Sequence, residues 1–357
     1  KQELSEILTD VFSFETPVVQ LLENTSILEL FHGPTMAFKD VGARFMARCL
    51  GRFADKSRPT TVLVATSGDT GSAVAHGFYN VEGVRVIILF PKGKVSPFQE
   101  FQMTSLGKNI TAVEVDGNFD DCQNLVKQAL HDDLLNQSVA LSSANSINVA
   151  RFLPQMLYYF FAYKRLKSAL KNREWIVSVP SGNFGNLTAG LYAQAMGLPI
   201  ARFIAATNAN DTFWQYLNTG VYQPKPSVST YSNAMDVGDP SNFARVQELF
   251  KNDYHRIKEE IYSQVVSDVQ TLAHIEEIYA QTGYILDPHA AVGHTALLHF
   301  IKPNQYGTVL GTAHPLKFDK VIQKVIPDFE SPKADLTSCS KKSIKNDYNQ
   351  YKALIIR

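Results

Sequence analysis

The stretch WIVSVPSGNFGNLTAGLYAQA, residues 175–195, joins an apolar run, a loop with two glycines and a helical pattern. The short apolar run predicts a buried strand, and the apolar spacing after the loop predicts a helix. Similar strands and helices alternate along the chain, which is typical of an α/β fold with a mostly parallel sheet. We expect further strands at 61–65, 84–90, 111–115, 201–207 and 307–312, and helices at 71–80, 119–131, 149–168 and 186–196.

The composition is that of a globular chain of 357 residues, enough for two domains. Lys+Arg and Asp+Glu both number 34, so bulk charge favours neither a nucleic-acid nor a membrane partner. Any anionic substrate must therefore be recognised locally. The three cysteines lie far apart and form no CxxC pair, which argues against a zinc site and favours a reducing compartment. We therefore expect a cytoplasmic location.

The loop SGNFGN, residues 181–186, predicts an anion site. Its glycines allow a ligand to approach the backbone closely, and the start of the following helix attracts negative charge. The loop lacks the lysine of a P-loop and the spacing of a dinucleotide fingerprint, so a small phosphate fits better than a nucleotide. The alternative is a tight strand-to-helix turn with Asn183 and Asn186 as caps.

A second strand–loop–helix arrangement lies upstream, at TSGDTG, residues 66–71. Thr66, Ser67 and Thr70 bring three hydroxyls to the predicted helix start, which suits a carboxylate or a phosphate. Asp69 would repel such an anion unless its carboxylate faces away, is protonated or pairs with a cation. The alternative is a capped helix start, where the helix dipole favours Asp69.

A third polar cluster, SSANSINVARFLPQ at residues 142–155, includes Asn145, Ser146 and Arg151. Arg151 follows Asn148 by three residues, so both side chains could face one ligand. A guanidinium binds phosphate better than an ammonium does. The alternative is an Asn/Ser cap beside a solvated arginine.

Lys39 and Thr312 complete the candidate site. Lys39 follows a Gly-Pro turn in FHGPTMAFKD, residues 31–40, and Thr312 follows a predicted strand at its carboxyl end, where open α/β sheets hold ligands. Taken alone, Lys39 is explained more simply as a solvated lysine, and Thr312 as part of a turn. A lysine, a small-phosphate loop and a strand-end hydroxyl together favour pyridoxal 5'-phosphate, bound through a Schiff base, its phosphate and its pyridine nitrogen.

Seven motifs occur along the chain in the order FHGPTMAFKD, SGDTG, SANSIN, PSGNFGN, SNAMDVGDPSN, DPHAAVG and GTAHP. In this order they resemble the threonine synthases, which are fold-type II pyridoxal-phosphate enzymes, from about residue 28 to about residue 318. The chain is similar to the longer branch of that family, found in many bacteria and fungi. In that branch a further N-terminal region precedes the lysine motif, and we expect that region to be missing here.

The resemblance implies an α/β fold of two open, twisted, mostly parallel sheets flanked by helices, with the active site in the cleft between domains. Residues 1–50 and 151–325 would form a large domain that binds the cofactor. Residues 51–150 would form a smaller α/β domain that carries the substrate-anion loops. Residues 326–357 would be a C-terminal extension.

The resemblance also implies a role for each candidate residue. Lys39 would be the catalytic Schiff-base lysine, and Asp69 would lie near the phenolic oxygen of the cofactor. Thr312 would meet the pyridine nitrogen. The cofactor phosphate would be bound by Gly182, Asn183, Phe184, Gly185 and Asn186. The substrate would be bound by Thr66, Ser67, Thr70, Asn145, Ser146 and Arg151.

The implied reaction converts O-phospho-L-homoserine and water to L-threonine and phosphate, the last step of threonine biosynthesis. The enzyme would be a pyridoxal-phosphate-dependent carbon–oxygen lyase. The alternatives are another fold-type II enzyme, such as a serine/threonine dehydratase, and a non-catalytic module that binds phosphate ligands. The expected partner is this small substrate, with no metal, nucleic acid or membrane. The chain would act as a monomer or a weak homodimer.

Overall fold

The computed structural model describes residues 1–53 and 57–356. The chain forms two compact units. Unit 1 comprises Lys1–Ser13, Gly33–Arg151 and Pro332–Arg357, and unit 2 comprises Phe14–His32 and Phe152–Ser331. Within the described ranges, no helix is long and apolar enough to cross a membrane.

Strands and helices alternate through most of the described chain. The strands are β1 (Val18–Leu22), β2 (Thr25–Glu29), β3 (Thr60–Ala65), β4 (Val84–Pro91), β5 (Ile110–Asp116), β6 (Ala140–Ser143), β7 (Glu174–Pro180), β8 (Ile200–Thr207), β9 (Ile261–Val265), β10 (Gln305–Gly311) and β11 (Lys342–Lys345). The helices are α1 (Gln2–Val11), α2 (Lys39–Phe53), α3 (Asp69–Phe78), α4 (Pro97–Thr104), α5 (Phe119–Leu130), α6 (Asp133–Ser138), α7 (Val149–Phe152), α8 (Met156–Leu170), α9 (Gly185–Ala195), α10 (Thr212–Thr219), α11 (Phe243–Leu249), α12 (Tyr254–Glu260), α13 (Asp268–Thr282), α14 (Pro288–Phe300), α15 (Asp319–Ile322) and α16 (Tyr348–Ile356).

Unit 1 is built on a five-stranded sheet with the strand order β11-β5-β4-β3-β6. All of its strand pairs are parallel. Strands β3 and β4 read as continuous apolar runs because apolar cores cover both of their faces. The carboxyl ends of β3 and β6 are neighbours, so the loops that follow them lie at one edge of the sheet.

Unit 2 is built on a six-stranded sheet with the order β1-β2-β10-β7-β8-β9. The β1–β2 pair is antiparallel, and every other pair is parallel. Two mostly parallel sheets flanked by helices confirm the expected fold class. Because β7 and β10 are parallel neighbours, the loop at residues 181–184 and Thr312 both follow the carboxyl edge of this sheet.

The two units divide the chain differently from the expected domains. Residues 33–50 group with the five-stranded sheet because helix α2 packs closely on α3, where a Cβ at Gly77 would lie 3.0 Å from the Ala43 carbonyl carbon. Residues 332–357 belong to unit 1 as well. Strand β11 extends the sheet beside β5, and Tyr351 of α16 is buried in the core of that unit. Strand β11 and helix α16 thus group with unit 1 in the structure.

Two buried histidines of unit 2 connect helices α13 and α14. His274 Nε2 and His294 Nδ1 lie 2.8 Å apart, and His294 Nε2 lies 3.0 Å from the Thr25 hydroxyl of β2. Burial lowers the pKa of His294 to about 3. Burial also lowers the pKa of His274, although Glu277 acts in the opposite direction. Both rings are therefore neutral in the folded chain near neutral pH.

Lowering the pH from 6.5 to 5 is expected to destabilise the fold by about 1–2 kcal/mol through His294 alone. The folded pKa lies below the ordinary value, so the stabilisation is complete above pH 6.5 and is lost as the pH falls toward 3. Urea denaturation gives the difference in unfolding free energy between wild type and His294→Gln at each pH. This difference should be smaller at pH 5 than at pH 6.5 by that amount. The exposed His299→Gln variant should keep the wild-type pH dependence. A gap of constant size would contradict a neutral buried ring.

Candidate active site

Lys39 is the first residue of helix α2 and ends a tight turn in unit 1. The carboxylate of Asp40 closes this turn, because it accepts hydrogen bonds from the Thr35 backbone N–H at 2.9 Å and from the Thr35 hydroxyl at 2.5 Å. Met36, inside the turn, has a left-handed φ of 54°. The turn therefore holds Lys39 at a defined position.

Among the described residues, Asp69 and Phe38 lie close to the amine of Lys39. Lys39 Nζ lies 3.8 Å from Asp69 Oδ2 and 5.6 Å from the centre of the Phe38 ring. Both contacts stabilise a positive charge on the amine. Asp69 is 5% exposed, and its Oδ1 accepts a hydrogen bond from Gln99 Nε2 at 3.0 Å. Of the three possibilities that the sequence left open for Asp69, the structure has the carboxylate paired with a cation.

The loop at residues 66–70 is held in place by Thr66. The Thr66 hydroxyl oxygen accepts hydrogen bonds from the backbone N–H groups of Gly68 at 2.9 Å and Gly71 at 2.8 Å. Its side chain is therefore used inside the loop, and Thr66 is 1% exposed. Ser67 and Thr70 are only half-buried. The hydroxyls that remain accessible in this loop are thus those of Ser67 and Thr70.

The cluster at residues 145–151 is bonded to the same edge of the sheet. Asn145 Nδ2 donates to the Ala65 carbonyl at 2.9 Å, and Asn145 Oδ1 accepts from the Ala65 N–H at 3.3 Å, so the two loops are joined. Ser146 is half-buried beside it. The Arg151 side chain is 3% exposed, and its guanidinium donates to the Ala144 carbonyl. The structure therefore brings Asn145 into contact with the strand that leads to Thr66.

In unit 2, the loop at residues 181–184 joins β7 to α9 and has an unusual backbone conformation at Phe184. Phe184 has φ 62° and ψ 10°, a left-handed conformation that is strained for a bulky residue. Its ring is held edge-to-face against Phe213, with the ring centres 4.9 Å apart. A Cβ at Gly182 would lie 2.9 Å from the Ala234 carbonyl oxygen, so the loop needs glycine there.

The segment 232–242 forms the support of this loop, and no chemical role was predicted for it from the sequence. Asn183 Oδ1 accepts from the Ser241 hydroxyl at 3.1 Å, and the Asn183 carbonyl accepts from Asn242 Nδ2 at 2.8 Å. The Ala234 N–H donates to His289 Nε2 at 3.2 Å. The motif SNAMDVGDPSN was visible in the sequence, but these contacts join residues that are 55 to 59 positions apart.

Thr312 lies directly after β10 and is 6% exposed. Two residues further on, His314 Nδ1 accepts a hydrogen bond from the Leu316 N–H at 3.2 Å and so caps the short helical turn there. Burial lowers the pKa of His314, which keeps the ring neutral. His314 therefore caps a local turn. Thr312 remains the residue at the carboxyl end of β10.

A phosphate group fits the start of helix α9. The first helical hydrogen bond runs from the Thr188 N–H to the Phe184 carbonyl, so the N–H groups of residues 185–187 precede it. In the described part of the chain, no side chain caps this helix start. The buried Asn186 Nδ2 has no hydrogen-bond partner among the described residues. These donors match the phosphate of pyridoxal phosphate.

A family model described as "Pyridoxal-phosphate dependent enzyme" matches residues 15–310, most of the chain. Threonine synthase from Buchnera aphidicola subsp. Baizongia pistaciae is 51% identical over 91% of this chain and 75% of its own length. Threonine synthase from Escherichia coli has a crystal structure that superposes with a TM-score of 0.93 at 46% identity, covering 99% of this chain and 83% of that one.

A crystal structure of threonine synthase from Brucella melitensis, described as bound to pyridoxal phosphate, gives a TM-score of 0.91 at 34% identity. It covers 99% of this chain and 84% of that one. The chain therefore belongs to the pyridoxal-phosphate dependent enzymes and, within them, to the threonine synthase family.

Proposed function

We propose that this chain converts O-phospho-L-homoserine and water to L-threonine and phosphate, with pyridoxal phosphate as its cofactor. The observation that carries the proposal is the partly buried Lys39 amine beside Asp69, in a chain half identical to threonine synthases. Pyridoxal phosphate, when bound, takes up the electron pair that an amino acid releases on losing a proton from its α-carbon. The enzyme is thus a lyase that acts on a phosphate ester.

Residues of unit 2 would hold the cofactor through its phosphate and its ring. The N–H groups of the loop formed by Gly182, Asn183, Phe184, Gly185 and Asn186 would bind the phosphate, together with the Asn186 amide. The Thr312 hydroxyl would meet the pyridine nitrogen. A neutral hydroxyl can donate or accept a hydrogen bond, so Thr312 does not require a protonated ring.

Lys39 would hold the cofactor aldehyde until the substrate amine displaces it, and its freed amine would then act as the proton carrier. Its Nζ would remove the proton from the α-carbon of the substrate and return protons to carbon later in the reaction. Asp69 Oδ2, 3.8 Å away, stabilises the protonated amine, so Lys39 can hold a proton until it is delivered. Asp69 would have this task in addition to the place near the cofactor that the family resemblance implies.

The substrate anions would be bound by residues of unit 1. Ser67 and Thr70 would contact the carboxylate with their half-buried hydroxyls, while Thr66 holds the loop. Arg151, with Ser146 and Asn145 beside it, would bind the substrate phosphate and stabilise its charge as it leaves. Unit 1 would then be the substrate-recognising part of the chain, and unit 2 the part that binds the cofactor phosphate.

We also propose a cytoplasmic monomer or weak homodimer that binds no nucleic acid. The three cysteines are free thiols, which favours a reducing compartment. Equal numbers of acidic and basic residues provide no bulk attraction for a polyanion.

Substrate choice distinguishes the proposal from its nearest rival, a serine/threonine dehydratase. The chain loaded with pyridoxal phosphate should release phosphate from O-phospho-L-homoserine and form threonine. With L-serine or L-threonine as the only substrate, 2-oxo acid should form at least about 100 times more slowly, because neither offers a phosphate to Arg151. Rapid formation of 2-oxo acid without phosphate release from phosphohomoserine would favour the dehydratase. Cofactor binding without turnover of either substrate would favour a non-catalytic module.

A further inference from the structure

Tyr159 of helix α8 is a buried tyrosine whose hydroxyl reaches the start of helix α9. Its oxygen lies 2.8 Å from the Asn186 carbonyl and 2.7 Å from Asn186 Oδ1. Both of these atoms are acceptors, so the tyrosine is the donor and shares its one proton between them. Burial raises the pKa of Tyr159 well above its ordinary value, so the hydroxyl keeps its proton. Tyr159 is therefore a permanent donor to Asn186.

In the structure, this hydrogen bond has the Oδ1 atom of the Asn186 amide turned toward Tyr159. Because Oδ1 accepts from Tyr159, the Nδ2 donor is directed elsewhere. Asn186 is 6% exposed, and among the described residues its Nδ2 has no acceptor. A buried amide donor without an acceptor is costly, which indicates that a ligand supplies the acceptor.

The position of the Tyr159 ring is set by packing. Gly190 lies four residues after Asn186, on the same face of α9. A Cβ at Gly190 would lie 2.6 Å from Tyr159 Cζ and 2.7 Å from Phe203 Cε1. The missing side chain thus makes room for the tyrosine, whose ring packs edge-to-face on Phe203 with the ring centres 5.9 Å apart. A phenylalanine at position 159 would keep this packing and lose only the hydroxyl.

We propose that Tyr159 is a positioning residue that fixes the Asn186 amide as a hydrogen-bond donor to the phosphate of pyridoxal phosphate. The inference rests on the proposed assignment of the loop at 182–186 to that phosphate. Tyr159 itself touches neither substrate nor cofactor. It acts through Asn186, and Gly190 allows it to do so.

The test is the affinity of Tyr159→Phe for pyridoxal phosphate and for pyridoxal, which lacks the phosphate. Both dissociation constants can be measured from the absorbance change on binding. Weakening one hydrogen bond to a charged group should raise the dissociation constant of pyridoxal phosphate about tenfold. That of pyridoxal should change by less than about twofold. A matched control is Tyr351→Phe, because Tyr351 is buried in unit 1 and its hydroxyl has no partner among the described residues. This variant should bind both compounds as wild type does.

A double-mutant cycle with Asn186→Ala separates positioning from a general packing role. Once Asn186 is removed, Tyr159→Phe should change the affinity for pyridoxal phosphate by less than about twofold. An equal loss of affinity for both compounds, no loss at all, or a full tenfold loss in the Asn186→Ala background would each overturn the inference. A wild-type chain that binds no pyridoxal phosphate would overturn the proposed function and the inference with it.

A second variant covers the case in which Tyr159→Phe does not fold. Asn186→Asp keeps the acceptor for Tyr159 and replaces the amide donor by a carboxylate oxygen. Because that oxygen repels a phosphate, the affinity for pyridoxal phosphate should fall at least tenfold and that for pyridoxal much less. Unchanged affinity for pyridoxal phosphate would overturn the inference.

Discussion

Replacing Lys39 by alanine is expected to lower phosphate release from O-phospho-L-homoserine by at least about 10⁴-fold. The variant loses the amine that would bond the cofactor and the base that would remove the α-proton, and proton transfer alone contributes about 10²–10⁴-fold in enzymes. Asp69 cannot replace it, because its carboxylate is held by Gln99 and is 5% exposed. The rate is measured as phosphate released under saturating cofactor.

A surface lysine serves as the control for Lys39. Lys127→Ala, on the exposed face of helix α5, should keep the wild-type rate. Borohydride treatment of the wild-type holoenzyme should attach the cofactor to Lys39, as read by peptide mass, and the Lys39→Ala protein should carry no such label at residue 39. A Lys39→Ala rate within about tenfold of wild type would remove Lys39 from the centre of the reaction.

Replacing Arg151 by alanine is expected to lower kcat/KM for O-phospho-L-homoserine by about 10²–10³-fold. The loss follows from removing a buried guanidinium that would bind the substrate phosphate, since charge-assisted hydrogen bonds are worth about 1.5–3 kcal/mol each and Arg can supply two. The dissociation constant of pyridoxal phosphate should change by less than about threefold. Steady-state kinetics and cofactor titration on the same protein provide both numbers.

Arg151 also holds its own loop, because it donates to the Ala144 carbonyl, so a control must separate this task from substrate binding. Arg58 is an exposed arginine that also donates to backbone carbonyls. It lies in the same unit and donates to the carbonyls of Asn136 and Gln137. Arg58→Ala should keep the wild-type kcat/KM. If Arg151→Ala weakens cofactor binding as much as substrate use, Arg151 belongs to the cofactor site or has only a structural role.

The central strands could be predicted from the sequence because burial makes them continuous apolar runs. Strands β4, β7 and β8 lie within one or two residues of their expected positions. The edge strands could not be predicted, because β6 (ALSS) and β11 (KSIK) have few apolar residues and form by pairing with a neighbour. The helix expected at 149–168 is interrupted at Leu153–Gln155, because Pro154 cannot donate the helical hydrogen bond.

The positions of the loops of the candidate site could be predicted from the sequence. The hydrogen bonds that individual side chains make in those loops were less predictable. Glycines and hydroxyls after apolar runs marked the loops at 66–71 and 181–186. That Thr66 bonds its own loop and that Asp69 pairs with Lys39 depends on how distant segments pack. Tyr159 lies 27 residues before its partner Asn186 in a helix of apolar and aromatic residues, where nothing in the sequence distinguishes it.

The origin of the hydroxyl oxygen of threonine tests the proposed reaction most directly. We expect the holoenzyme, given O-phospho-L-homoserine in water enriched in oxygen-18, to form threonine and phosphate in equal amounts. The label should appear in the threonine hydroxyl and not in the phosphate, because phosphate leaves with its bridging oxygen and water adds to the neighbouring carbon. Labelled phosphate with homoserine as the product would mean simple hydrolysis of the phosphorus–oxygen bond and would contradict the proposed function.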